Sequence, residues 1–193
     1  MPTEIFGSVE VWSRALWHWI EVIDAGPILE RNEAAFSSLF GAGEVDAGFP
    51  PLAARRDLPP EASPAVKRWS EPRRSDENPD GFFGHTYVTC AELAAADWEE
   101  ERTDPHVHCY GRSEVTGEWI KVGTYRPEPP HGRRPGDLWM EEGVQCRIRA
   151  VTREETLGGD FRLVYDLMIR LAQRYGDEHV RLVVWFGESG ENG

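Results

Sequence analysis

Three features of the sequence predict an α+β fold, in which a mainly antiparallel sheet carries one long C-terminal helix among several short helices and long loops. Apolar residues recur at helical spacing through Phe161, Val164, Met168, Leu171 and Tyr175, with Leu163 and Leu167 widening the stripe. The run Val180-Arg181-Leu182-Val183-Val184-Trp185-Phe186 follows, too apolar and β-branched for a surface strand, and is expected to lie centrally in a sheet beneath that helix. The remaining strand-like segments are separated by short helices and long loops without regular βαβ alternation, which favours α+β over α/β.

Each element has a local cause. Asp160 is placed to cap the long helix, Arg170 and Arg174 suit its C-terminal dipole, and Gly176 provides a left-handed stop. Near the N-terminus, Glu4 to Trp12 and Trp17 to Ile23 read as a hairpin, with Trp17, Trp19, Glu21 and Ile23 on one face and His18, Ile20 and Val22 on the other. His18 is given no role, because a histidine in an aromatic strand is ordinarily structural. Asn32 and Gly41 bracket a short helix whose apolar side is Phe36, Leu39 and Phe40. A second short helix starts at Ser63-Pro64, and a capping box at Thr89 to Glu92 opens a third that runs to about Asp97 after a strand over 82–89. Glu99-Glu100-Glu101 reads as a solvated acidic run. Strands are expected around His106 to Tyr110, Gly117 to Tyr125, Leu138 to Met140 and Val144 to Ala150, the last with Val144, Cys146, Ile148 and Ala150 on its buried side. Thr152 to Glu155 repeats the capping-box pattern.

Residues 1–193 are read as a single domain, with 70–81 and 127–136 as mobile surface loops. At 40% hydrophobic and 11% aromatic residues the chain has enough apolar material for a folded core. A net charge of -13 disfavours bulk nucleic-acid binding. Three cysteines without a C-x-x-C spacing argue for reduced thiols in a cytoplasmic protein, and neither a signal peptide nor an apolar run long enough to span a membrane is found.

The stretches Arg31 to Gly41, Pro50-Pro51-Leu52 through Leu58 to Pro64, Gly84-His85-Thr86 with its following Glu-Leu helix, and Gly158-Gly159-Asp160 together resemble a family of small actinobacterial and phage proteins with no assigned activity. The resemblance covers most of the chain and implies a compact α+β domain without implying a reaction. Phage members of that family carry an Asp-x-His near the N-terminus and a Gly-His-Ser-His element. Glu4-Ile5-Phe6 and Tyr87 stand at the matching places here, so a metal or catalytic site in those relatives would be incomplete in this chain.

Two functional classes follow. One is a small acidic accessory protein, linked through the resemblance to phage or mobile-element biology. It would act by binding another protein, use no cofactor, and be compatible with a homodimer. Eight tryptophans and the absence of a complete catalytic motif favour it. The alternative is a metal-dependent hydrolase. His106-x-His108 places two imidazoles on one face of a strand, and His85 would supply a third ligand to a divalent metal, with Asp104 or Glu10 as a further ligand or general base. Cys109 would then face away, and Cys90, inside a capping box, reads as a small buried residue and not a nucleophile.

Overall fold

In the computed structural model, residues 3–29, 32–42, 48–70, 82–104, 107–125, 134 and 136–188 are described. The strand after the long helix, β10 (Val180–Glu188), lies inside an antiparallel sheet of order β2-β1-β10-β3, with β1 (Thr3–Ser13), β2 (His18–Asp24) and β3 (Phe83–Thr89). Its alternate residues are buried on both faces, which explains the near-continuous apolar run. Leu182, Val184 and Phe186 face the long helix α5 (Gly158–Tyr175), while Val183 and Trp185 face the short helix α2 (Pro64–Ser70). Gly7 continues β1 because a Cβ there would stand 3.0 Å from the Val183 carbonyl oxygen of the neighbouring strand.

The expected face of β2 is divided by a β-bulge. Ile23 pairs with Val9, and Glu21 with Glu10, so Val22 is an extra residue. Because side chains alternate with period two, the insertion sends Ile23 to the α5 side while Trp19 and Glu21 turn to the α2 side. Trp17 is not in the strand. It sits in the hairpin turn at φ 57, its N–H bonded to the Ser13 carbonyl.

Helix α5 buries Phe161, Val164, Met168 and Ala172, with Leu171 and Tyr175 at the edge of the core. Leu163 lies off this stripe and is 50% exposed. Asp160 makes no cap. The helix begins one turn earlier, directly after α4 (Arg153–Thr156), with Leu157 at its head in helical geometry and Gly158 at φ +65. The preceding carbonyls of Thr156 and Leu157 accept from Asn32 Nδ2 at 3.1 and 2.8 Å. Asn32 also receives the Ala35 N–H and so caps α1 (Glu33–Ala35), which continues as a π-helical turn over Phe36–Phe40 and stops at Gly41, φ +66. That turn sets Phe36 and Phe40 edge-on to Phe186 at 5.5 and 6.2 Å between ring centroids.

Ser63 caps α2, and reciprocal capping boxes open α3 (Cys90–Ala95) and α4. Helix α3 ends two residues before the expected Asp97, where Trp98 Nε1–H donates to the Leu93 carbonyl. Glu100 is not simply solvated, since its carboxylate accepts from buried Arg153 at 2.7 Å. Arg153 in turn donates to the carbonyls of Ser38 and Pro50 and lies over the Phe49 ring. The short pair β4 (Glu101–Thr103) and β9 (Ala150–Thr152) leads to a second antiparallel sheet, of order β6-β5-β8-β7. It is built from β5 (Val107–Arg112), β6 (Trp119–Tyr125), β7 (Leu138–Glu141) and β8 (Val144–Arg147). Ala150, expected on the buried side of a single strand, is exposed in β9 after the break at Ile148 and Arg149. The loops expected over 70–81 and 127–136 lie outside the described residues, apart from Ser70, which closes α2, and Arg134 and Gly136.

Met168→Ala is expected to lower unfolding free energy by about 2–5 kcal/mol, since it empties a fully buried site. Leu163→Ala should change it by no more than ~0.5 kcal/mol. Urea titration of both variants checks the assigned face of α5, and equal losses would contradict it.

Candidate functional site

The predicted metal residues are held by separate parts of the fold. His85 is on β3 of the first sheet, where its Nε2–H donates to the Ser70 carbonyl at the end of α2, 3.1 Å away. His108 is on β5 of the second sheet, with Nε2 2.6 Å from Asp104 Oδ2. His106 lies outside the described residues. Glu10 belongs to the α2 face of the first sheet, where Arg181 Nε–H donates to Oε2 at 2.8 Å and the Ser63 N–H donates to Oε1 at 2.6 Å. Among the described residues no group of three or more His, Cys, Asp or Glu side chains is placed to hold a metal ion.

His108 is buried with its carboxylate partner. The hydrogen bond and charge of Asp104 favour the imidazolium, while removal from water, with smaller contributions from Lys121 and Arg149, opposes it. Burial prevails and holds the ring below its ordinary pKa. The short contact joins Nε2 of the ring to the Asp104 carboxyl inside the protein.

Beside the Glu10–Arg181 pair, the α2 face contains a cavity of about 280 Å³ walled by Phe6, Trp69, Phe82 and Trp185, with Ser8 and Asp24 on its polar side. Phe6 and Phe82 are 5.0 Å apart between ring centroids, and Phe6 is stacked on Trp185 at 6.5 Å. The Ser8 hydroxyl donates to Glu21 at 2.5 Å. Trp185 Nε1–H is buried without an acceptor among the described residues.

The second sheet is different in kind. Its cluster is small, comprising Val107, Cys109, Cys146 and Ile148 with Trp139 and Val144 against it. Pairing register assigns Ile120 and Trp139 to the face of the two cysteines, and Trp119, Leu138 and Met140 to the face of His108 and Arg147, while Val122, the extra residue of a β-bulge in β6, lines a groove over the cysteines. Ile120, Val122, Leu138 and Met140 are each more than half exposed. Apolar side chains therefore reach solvent from both faces of this layer. Charge is distributed to match: residues 107–149 contain seven Arg or Lys and six Asp or Glu, so the acidic excess of the chain lies wholly outside the segment that builds the sheet.

Sequence alternation had marked Cys146 as inward-facing, but only strand pairing places it opposite Cys109. No separation of the two in the chain, 37 residues, signals such a contact. Compared with known proteins, the chain matches no family model, no curated protein and no solved structure. Among the described residues no helix is long and apolar enough to cross a membrane.

The depressed pKa of His108 links folding to pH. Below the unfolded value of about 6.5, the unfolded chain takes up a proton that folded His108 resists, so stability present above that pH is lost as pH falls toward the folded pKa. Urea midpoints of the wild type and of His108→Asn, followed from neutral to mildly acidic pH, should show the wild-type advantage shrinking. An advantage that grows on acidification would mean that Asp104, and not burial, dominates.

Proposed function

We propose that this protein is an acidic accessory protein that acts by binding another protein, with the β5–β8 sheet as its contact surface. The observation that carries the reading is the exposure of Ile120 and Val122 on one face of that sheet and of Leu138 and Met140 on the other. A stable domain ordinarily packs at least one face of a sheet against a second layer, and contiguous exposed apolar surface marks interaction sites. The near-neutral charge of residues 107–149 supports the same reading, because an apolar contact there does not bring the acidic part of the chain into the interface. The association with phage or mobile-element biology, and a cytoplasmic setting, rest on the resemblance and on cysteine usage alone.

A photo-crosslinking residue placed at Met140 in the host cell should yield one discrete product, while the same residue at Leu163 on the exposed side of α5 yields none. Replacing Ile120 and Met140 by Asp should then weaken the purified complex by roughly 2 kcal/mol or more, about thirtyfold in affinity, with the urea midpoint unchanged. Products at Leu163 as abundant as at Met140, or a homodimer as the sole product, would refute the assignment.

A further inference from the structure

The groove on one face of the β5–β8 sheet has two thiols in its floor. Cys109 and Cys146 are direct cross-strand partners in the antiparallel pair β5–β8. Residues so paired have Cα atoms about 4.5 or 5.5 Å apart according to their hydrogen bonding. Both values lie within the roughly 4.4–6.8 Å that a disulfide spans. The two Sγ atoms are 3.9 Å apart, and neither cysteine takes part in a disulfide. With Val122, Val144, Glu141 and Glu142 they line an open groove of about 470 Å³, in whose floor Cys109 is 8% and Cys146 2% exposed. The remaining cysteine, Cys90, is buried at the start of α3, away from this sheet.

A pair of adjacent thiols can take a metal ion or exchange with a disulfide. The first use calls for further ligands, and among the described residues no third His, Cys, Asp or Glu joins the pair in a metal-binding group. The second needs only the two sulfurs. We propose that Cys109 and Cys146 form a vicinal dithiol that exchanges with low-molecular-weight disulfides and closes reversibly into a cross-strand bond. This goes beyond the binding role proposed above and stands without it.

The chemistry balances with a disulfide of the glutathione type as oxidant. One cysteine loses its proton to solvent, and its thiolate attacks a sulfur of the external disulfide. A protein–small-thiol mixed disulfide forms, the external S–S bond breaks, and one small thiolate leaves. The second cysteine, deprotonated in turn, attacks the protein sulfur of the mixed disulfide. The Cys109–Cys146 bond forms and the second small thiolate leaves. Two protein thiols are oxidised, one external disulfide is reduced to two thiols, and the two protons released by the protein are available to them. Burial, together with Cys146 and Glu141, pushes the Cys109 thiol up to about 11, so exchange should accelerate as pH rises from neutral. The product closes a loop containing both β6 and β7, the edge strands that present the exposed apolar residues. Closing that loop restricts the unfolded chain and so stabilises the sheet.

The full-length protein is incubated with oxidised glutathione, denatured in the presence of an alkylating reagent, and analysed by intact mass and peptide mapping, with a reduced sample in parallel. The expected result is one alkylated thiol, at Cys90, a mass lower by two hydrogens before alkylation, and a Cys109–Cys146 linked peptide that dithiothreitol removes. The melting temperature should rise on oxidation, and Cys109→Ser should abolish both the link and the rise. The linked peptide is read on the wild type, so a variant that fails to fold leaves the test intact. Three alkylated thiols, a glutathione adduct that never resolves, or a bridge involving Cys90 would each overturn the proposal.

Discussion

The ion pair between Glu10 and Arg181 organises the centre of the molecule. The two residues are cross-strand partners on β1 and β10, and Glu10 is wholly buried. Removing two charges from water costs several kcal/mol per ion unless their bonding capacity is met inside. Here Arg181 Nε–H and the Ser63 N–H occupy the two oxygens of Glu10, and Arg181 Nη2, which has no hydrogen-bond partner among the described residues, stays in ionic contact with Oε2 at 2.8 Å while the guanidinium lies 3.8 Å from the centroid of the Trp19 ring. β1, β10, β2 and the entry to α2 are thus tied to one polar point. The pair also specifies register. A slip of one residue would turn Glu10 or Arg181 toward the apolar cluster under α5, where no partner could reach it.

Arg153 has a comparable role at the other side of the core. It is buried between the π-helical turn, the loop at Phe49 and Pro50, and Glu100. Hydrogen bonds from Arg153 and Arg102 hold the Glu100 carboxyl below its usual range. Asn32 completes the link by capping α1 while bonding the carbonyls that precede α5. The first sheet and its helices are therefore cross-braced by polar groups whose loss would leave buried charge or unpaired amides.

Among the described residues the β5–β8 sheet has only the small cluster around Val107, Cys109, Cys146 and Ile148, with no second layer of comparable size. Strand pairing joins its four strands, but Ile120, Val122, Leu138 and Met140 are each more than half exposed, and the acidic excess of the chain is absent from its segment. This contrast makes the sheet, and not the aromatic cavity beside α2, the stronger candidate for contact with another macromolecule. Phe6, Phe82 and Trp185 of the cavity wall are already packed on one another, whereas Ile120, Val122, Leu138 and Met140 of the sheet are each more than half exposed.

Sequence by itself determined the elements whose cause is local. The period of α5, the apolar run of β10, and the caps at Asn32, Ser63, Thr89 and Thr152 all depend on residues within a few positions of one another. Tertiary structure decided whatever depended on pairing across the chain. The bulge at Val22 divided the face of β2, because an inserted residue changes side-chain phase without altering composition. Asp160 lost its capping role to a helix that begins at Gly158, with Asn32 more than 120 residues away in sequence bonding the carbonyls before it. His85 and His108 were assigned to different sheets, and Cys109 was brought to Cys146. Periodicity states which side of a strand a residue occupies; only the strand beside it states what the residue meets.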